Sequence, residues 1–164
     1  MGKDTALVYG GVSHLAGDIG ERLMQLDCHL VLSDRLDPVA AVPCLARLKA
    51  GGKPVPYLPA DIARPDERFR LLQTVAQRFG VPRWLLLLPS ETVGAATDPM
   101  AVTEERFDRW MDVEVRGTFF LAQASARLMQ EQHQADPSFH GRILLCNVAP
   151  TAETARPGLD RVVC

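Results

Sequence analysis

Along this chain, short apolar runs alternate with longer stretches in which apolar residues return every three or four positions, the pattern of a parallel sheet covered by helices. Ala6-Leu7-Val8-Tyr9 and Leu30-Val31-Leu32 are short, rich in strand formers and closed by turn or polar residues, which predicts two central strands. Between them Leu15, Ile19, Leu23 and Leu26 fall at i, i+4, i+8 and i+11, one stripe of a helix. Val39 to Lys49 predicts a second helix, stopped by Gly51-Gly52, and Pro54 to Leu58 a third strand with proline-marked edges. Asp66 to Phe79 carries Phe69, Leu72, Val75, Ala76 and Phe79 at helical spacing and ends at Gly80. Trp84 to Leu88 is the continuous apolar run of a strand buried on both faces. A helix from Thr103 to Met129, bent near Gly117, and a fifth strand from Arg142 to Cys146 complete the order. Ala135 to His140 reads as a surface loop, and Glu91 to Met100 as a functional one because it leaves the carboxyl end of a buried strand. The alternation predicts an α/β fold, a doubly wound parallel sheet in the order 3-2-1-4-5, with any ligand at its carboxyl edge.

Composition narrows the class. A chain of 164 residues, 47% apolar and 23% charged, suits one domain with a real core. The net charge of −2 supplies no basic field for nucleic acid. The longest apolar run, Trp84 to Pro89, is far below the roughly 20 residues that span a bilayer, so no membrane partner is expected. Met1-Gly2-Lys3-Asp4 leads straight into a strand, and the chain reads as cytoplasmic. Cys28, Cys44, Cys146 and Cys164 are widely spaced, without CxxC or a nearby His, which argues against zinc and against a disulfide framework.

From Ala6 to Arg35 the chain runs strand, glycine turn, helix, strand, acid, the layout of a nucleotide cradle. ALVYGG in this stretch resembles the ALVTGG of the short-chain dehydrogenase/reductase family, and the whole stretch aligns without a gap. PADIARPDERFRLLQTVAQRFG resembles the family segment in which an Asp follows the third strand and a helix ends in Arg-Phe-Gly. TEERFDRWMDVEVRGTFFLAQASARLM resembles the family's long helix, and GRILLCNVAP the strand that carries its catalytic serine. The resemblance implies a Rossmann-like single domain over residues 1–164, truncated on the C-terminal side and incomplete after the fifth strand. It also implies an oxidoreductase acting with NAD or NADP on a small carbonyl or alcohol.

Carried over position by position, the resemblance implies cofactor contacts at Gly10, Gly11, Ser13, His14 and Leu15 in the first turn, and at Asp34 and Arg35 at the tip of the second strand. It implies further contacts at Asp61 and Ile62, the adenine-contacting pair, and at Leu88 and Pro89 after the fourth strand. The family's TGxxxGxG keeps its first glycine at Gly10, but His14 and Ala16 replace the other two. Gly17 and Gly20 would restore the motif only through a gap that breaks the apolar stripe of the helix. The turn is therefore either a weakened cofactor grip or a loop that holds nothing. Asp34 can accept ribose hydroxyls and repel a 2′-phosphate, whereas Arg35 would attract that phosphate; the balance favours NAD. An Asp-Arg pair is equally ordinary in an exposed loop, and an Asp such as Asp61 is ordinary at a helix N-terminus.

Catalysis departs further. The family's NNAG reads Leu87-Leu88-Pro89-Ser90, without its polar side chains. The tetrad asparagine matches Glu114, a carboxylate that can order water but changes the local charge. The catalytic serine matches Cys146 or Asn147, and Asn147 can at best polarise a carbonyl as a donor. The YxxxK pair, in which a lysine lowers a tyrosine's pKa for proton transfer, has no counterpart, and Val162 falls where the tyrosine would be.

Two classes follow: a catalytically impaired NAD(P)-binding oxidoreductase relative, or a non-catalytic Rossmann pseudoenzyme subunit or scaffold paired with an active homologue. The ending Val162-Val163-Cys164 leaves an apolar tail and an uncovered sheet edge, expected of a fragment or of a surface that a partner buries. Phe107, Trp110, Met111, Val115, Phe119, Phe120 and Leu128 mark more than one side of the long helix, which predicts a homo- or hetero-oligomer, a symmetric dimer in the simplest case. Glu104, Glu105, Arg106 and Arg109 read as a solvated helix face, and Trp84 and Trp110 as packing residues. His29, His133 and His140 receive no role.

Overall fold

The computed structural model describes residues 4–10, 12, 14–49, 54–88 and 99–146. Strands β1 (Thr5–Tyr9), β2 (His29–Asp34), β3 (Tyr57–Pro59), β4 (Pro82–Leu87) and β5 (Arg142–Leu145) form one parallel sheet in the order β3-β2-β1-β4-β5. This is the expected order. Each crossover carries a helix: α1 (His14–Gln25), α2 (Pro38–Lys49), α3 (Pro65–Phe79), and a long helix built of α4 (Glu104–Trp110), a π segment (Met111–Gly117) and α5 (Thr118–Ala135).

Alternation along the central strands sorts side chains into two cores. Leu7, Tyr9, Val31, Leu85 and Leu87 meet Leu72 and Val75 of α3 and Leu121 and Met129 of α5. On the other face Ala6, Val8, Leu30, Leu32 and Leu86 meet Ala16, Leu23 and Leu48 of α1 and α2. The sheet is Rossmann-like and doubly wound, as expected, with its carboxyl edge reserved for the turns after β1, β2, β3 and β4.

Several elements differ locally from the sequence pattern. β2 runs on to Asp34 because its pairing continues past Leu32, with β1 as far as Ser33 and with β3 as far as Asp34. β3 is shorter and shifted, to Tyr57–Pro59; it lies at the sheet edge, where proline's missing N–H is tolerated. In α1 the predicted stripe is wrong at both ends: Leu15 is 41% and Leu26 63% exposed. Ala16, Gly20 and Leu23 face the sheet instead. A Cβ on Gly20 would stand 3.0 Å from Leu30 and 3.1 Å from Leu48, so the small residue lets α1 lie close to β2 and α2. Gly17 lies under the Arg47 guanidinium, which bridges to Asp18 and Glu21. Both glycines thus have packing roles. The irregularity expected near Gly117 takes the form of the π segment, after an N-terminus capped by Thr103, whose hydroxyl accepts from the Arg106 N–H at 3.3 Å.

Candidate functional site

The turn after β1 leaves through Gly10, whose φ of +79° belongs to the left-handed region. A Cβ there would stand 2.5 Å from the main-chain oxygen of Leu88, so the turn presses against the end of β4 as only glycine allows. The Leu88 N–H donates to the Tyr9 carbonyl at 3.0 Å and fixes that approach. Leu88 itself is buried, and Leu15 at the start of α1 is exposed beside the turn. Ala16 is wholly buried among the core residues of the α1 face, so its methyl points away from the edge. His14 opens α1. Gly11, Ser13, Pro89 and Asn147 lie outside the described residues.

Asp34 closes β2 with only 3% of its surface exposed, so the reading of an exposed loop pair does not hold for it; Arg35 is the exposed member. Its carboxylate accepts from the Arg35 N–H at 2.8 Å. Burial raises the Asp34 carboxyl above its ordinary range, opposed by backbone N–H bonds from Arg35, Leu36 and Val12 and by the Arg35 charge. Val12 belongs to the first turn, so the carboxylate at the tip of β2 lies near the loop after β1.

Past β3 the chain turns at Asp61-Ile62, and protein groups hold this corner on every side. The Asp61 N–H donates to Glu67 Oε2 at 2.7 Å, and its carboxylate accepts from the Ala63 N–H at 3.0 Å and from Arg109 Nη2 at 3.1 Å. Ile62 is buried, and its carbonyl accepts from Arg68. Gly117 packs on it so closely that a Cβ would stand 2.8 Å from the Ile62 side chain and carbonyl oxygen. Asp61 precedes α3 without capping it; Arg64 holds the N-cap position. Glu114 lies half-buried in the π segment, near enough for its charge to act on the Tyr9 phenol.

The structure therefore brings Gly10, Asp34, Asp61, Ile62 and Leu88 to one sheet edge, with Glu114 facing it from the long helix. Two contributors went unnoticed in the sequence. Arg109, read as part of a solvated face, pairs with Asp61 from 48 residues away. Tyr9, read as a strand residue, spans from β1 to the Ala60 carbonyl, its hydroxyl donating at 3.1 Å. The one signal available for Tyr9 was its place in ALVYGG, where the family has a threonine.

A family model described as short chain dehydrogenase matches residues 4–137. The chain belongs to the short-chain dehydrogenase family. It is 27% identical over 129 residues to glucose 1-dehydrogenase 2 of Bacillus subtilis, covering 79% of this chain and 50% of that protein. It is 34% identical over 85 residues to sepiapterin reductase of Chlorobaculum tepidum, covering 52% of this chain and 34% of that protein. Among solved structures it resembles an NADH-dependent reductase complexed with NAD, with a TM-score of 0.75 at 16% identity over 93% of this chain and 62% of that one, a likeness of fold. The short-chain dehydrogenase chain described here spans about half the length of the curated relatives it matches. Among its described residues no helix is long and apolar enough to cross a membrane, and no three His, Cys, Asp or Glu side chains gather as metal ligands.

Proposed function

We propose that this chain is the nucleotide-binding part of a short-chain dehydrogenase, that it takes NAD in preference to NADP, and that alone it does not reduce carbonyls or oxidise alcohols. The observation that carries this reading is the buried Asp34 carboxylate at the end of β2, near the turn that Gly10 opens.

The residues fit such a ligand. Without a side chain at Gly10 the turn stays against β4, and a diphosphate would sit at the α1 N-terminus, where helix N–H groups and the dipole favour negative charge. Asp34 would accept a ribose hydroxyl and repel a 2′-phosphate, Asp61 and Ile62 would flank the adenine, and Leu88 would border the ring beyond. The nicotinamide, when bound, supplies hydride transfer. Moving the accompanying proton needs a positioned donor, and the family's Tyr and Lys have no match between residues 1 and 164. Glu114 and Asn147 occupy degenerate tetrad positions, with Glu114 as a water-ordering group at most. Groups that act as a unit fail together, so turnover falls far more than binding.

The exposed aromatic face of the long helix supports an oligomeric role beside this one. Phe107, Val115, Phe119 and Phe120 are each more than 40% exposed. Such a patch suits a second copy or a catalytically complete homologue.

Calorimetric titration of the full chain with NADH and NADPH tests the binding reading, and a screen of ketones and secondary alcohols at the reduced-cofactor absorbance tests the chemistry. The expected result is NADH binding tighter than NADPH, with no turnover. Binding of neither dinucleotide, a preference for NADPH, or turnover that disappears in Glu114→Gln would refute the corresponding part.

A further inference from the structure

Tyr9 is the last residue of β1 and is 1% exposed, with its ring in the core shared with Ile62, Val113 and Leu121. Its register partners are Ser33 on β2 and Leu87 on β4, all at the carboxyl edge. From there the phenol crosses the whole of β2, because its hydroxyl donates to Ala60, the residue that follows β3, at 3.1 Å. Neighbouring strands lie about 4.8 Å apart, so this is a span of two strand spacings made by one side chain. The Ile62 backbone N–H also lies near the phenol oxygen. Burial, with the charges of Asp34, Asp61 and Glu114, drives the phenol pKa upward, so the hydroxyl keeps its proton and donates at any physiological pH.

Seen from solvent, the same corner is held by Glu67 on the Asp61 N–H and by Arg109 on the Asp61 carboxylate. The corner thus has an inner fastening, Tyr9, and an outer one. We infer that Tyr9 is a positioning residue for the nucleobase end of the site, presetting the Asp61-Ile62 corner before any ligand arrives. This rests on the reading above that the corner flanks the adenine. Preorganisation matters there because a corner that must order itself on binding spends part of the contact energy doing so. The nicotinamide end is served by other elements and does not depend on the strap.

The test is titration of the full chain and its Tyr9→Phe variant with two probes: ADP-ribose, which lacks nicotinamide, and nicotinamide mononucleotide, which lacks adenine. Phenylalanine keeps the ring in its core and removes only the oxygen. The expected result is about three- to tenfold weaker ADP-ribose binding, the range of one neutral hydrogen bond, with nicotinamide mononucleotide unchanged. Equal weakening of both probes, or undiminished ADP-ribose binding, overturns the inference. If Tyr9→Phe does not fold, Glu67→Ala loosens the corner from its solvent side and must give the same selective loss; no loss there overturns it as well. Ser33→Ala serves as the control, since that hydroxyl is buried beside Tyr9 with no partner among the described residues, and its removal leaves both affinities as they were. Should the wild-type chain bind neither ADP-ribose nor NADH, the nucleotide reading itself falls. Should it bind NADH while Tyr9→Phe leaves ADP-ribose untouched, only the role of Tyr9 falls.

Discussion

Replacing Gly10 with alanine sets a methyl group 2.5 Å from the Leu88 carbonyl oxygen and 3.0 Å from its carbonyl carbon. Those are main-chain atoms at the end of a central strand, so no rotamer change relieves the overlap. The φ of +79° adds about 1–2 kcal/mol for any residue with a Cβ. Opening the turn enough to admit the methyl also stretches the 3.0 Å bond from the Leu88 N–H to the Tyr9 carbonyl, worth about 1 kcal/mol. Together these predict a loss of about 2–4 kcal/mol, a large share of a domain's usual 5–15 kcal/mol, and a melting point lower by roughly 5–12 °C. Urea unfolding followed by circular dichroism measures it, with an unchanged slope showing that only stability moved. Gly20→Ala supplies the contrast. Its new methyl meets the ends of Leu30 and Leu48, which can turn aside, and the expected loss is about 1 kcal/mol. Equal losses at the two glycines, or a Gly10→Ala midpoint unchanged, would refute the argument from close approach.

Because burial raises the Asp34 carboxyl, the native state holds that proton more tightly than the unfolded chain. Its contribution to stability therefore falls as pH rises from the ordinary value of 3.8 through the raised one. Wild type should lose ground to Asp34→Asn as the pH is raised from 3.8 in urea titrations, and a wild type that gains on the variant on that rise would contradict the assignment. On the long helix, Phe119→Ser with Phe120→Ser should shift sedimentation toward monomer at tens of micromolar, since these rings are 59% and 42% exposed and pack edge to face on the surface. A wild-type chain that is already monomeric would remove the basis for that face as an interface.

The strand order was legible because a parallel strand buried on both faces has to be apolar at nearly every position, and the runs at Ala6–Tyr9, Leu30–Leu32 and Trp84–Leu88 satisfy that. The face of α1 was not. Apolar spacing favoured Leu15 and Leu26, but the contact with β2 is governed by how near two backbones come, and there Gly20 and Ala16 outweigh larger residues. The burial of Asp34 was open for a related reason: a carboxylate at a strand tip is exposed or buried according to whether pairing continues one residue further. The Arg109–Asp61 pair and the Tyr9 span join segments whose proximity depends on the completed sheet, so neither spacing nor composition carries a trace of them.

The matches and departures divide along the sheet. Gly10, Asp34 and the Asp61-Ile62 corner belong to β1, β2 and β3, where the family pattern is retained and where hydrogen bonds hold each position. Leu88-Pro89 follows β4, Glu114 lies in the π segment and Cys146-Asn147 follows β5, and at each of these the polar group of the family pattern is replaced. His14 is an exception on the retained side; Ala16 is not, because its methyl is buried in the core. A Rossmann sheet places the nucleoside over one side of its switch point and the reacting ring over the other. In the proposed function, departures confined largely to one side would separate grip from chemistry. Asp34 bears on that separation in the proposed function: its buried carboxylate already accepts from the Arg35 N–H at 2.8 Å. On the proposal above, that carboxylate would accept a ribose hydroxyl and repel a 2′-phosphate, a discrimination that calls on none of the replaced groups near β4, the π segment and β5.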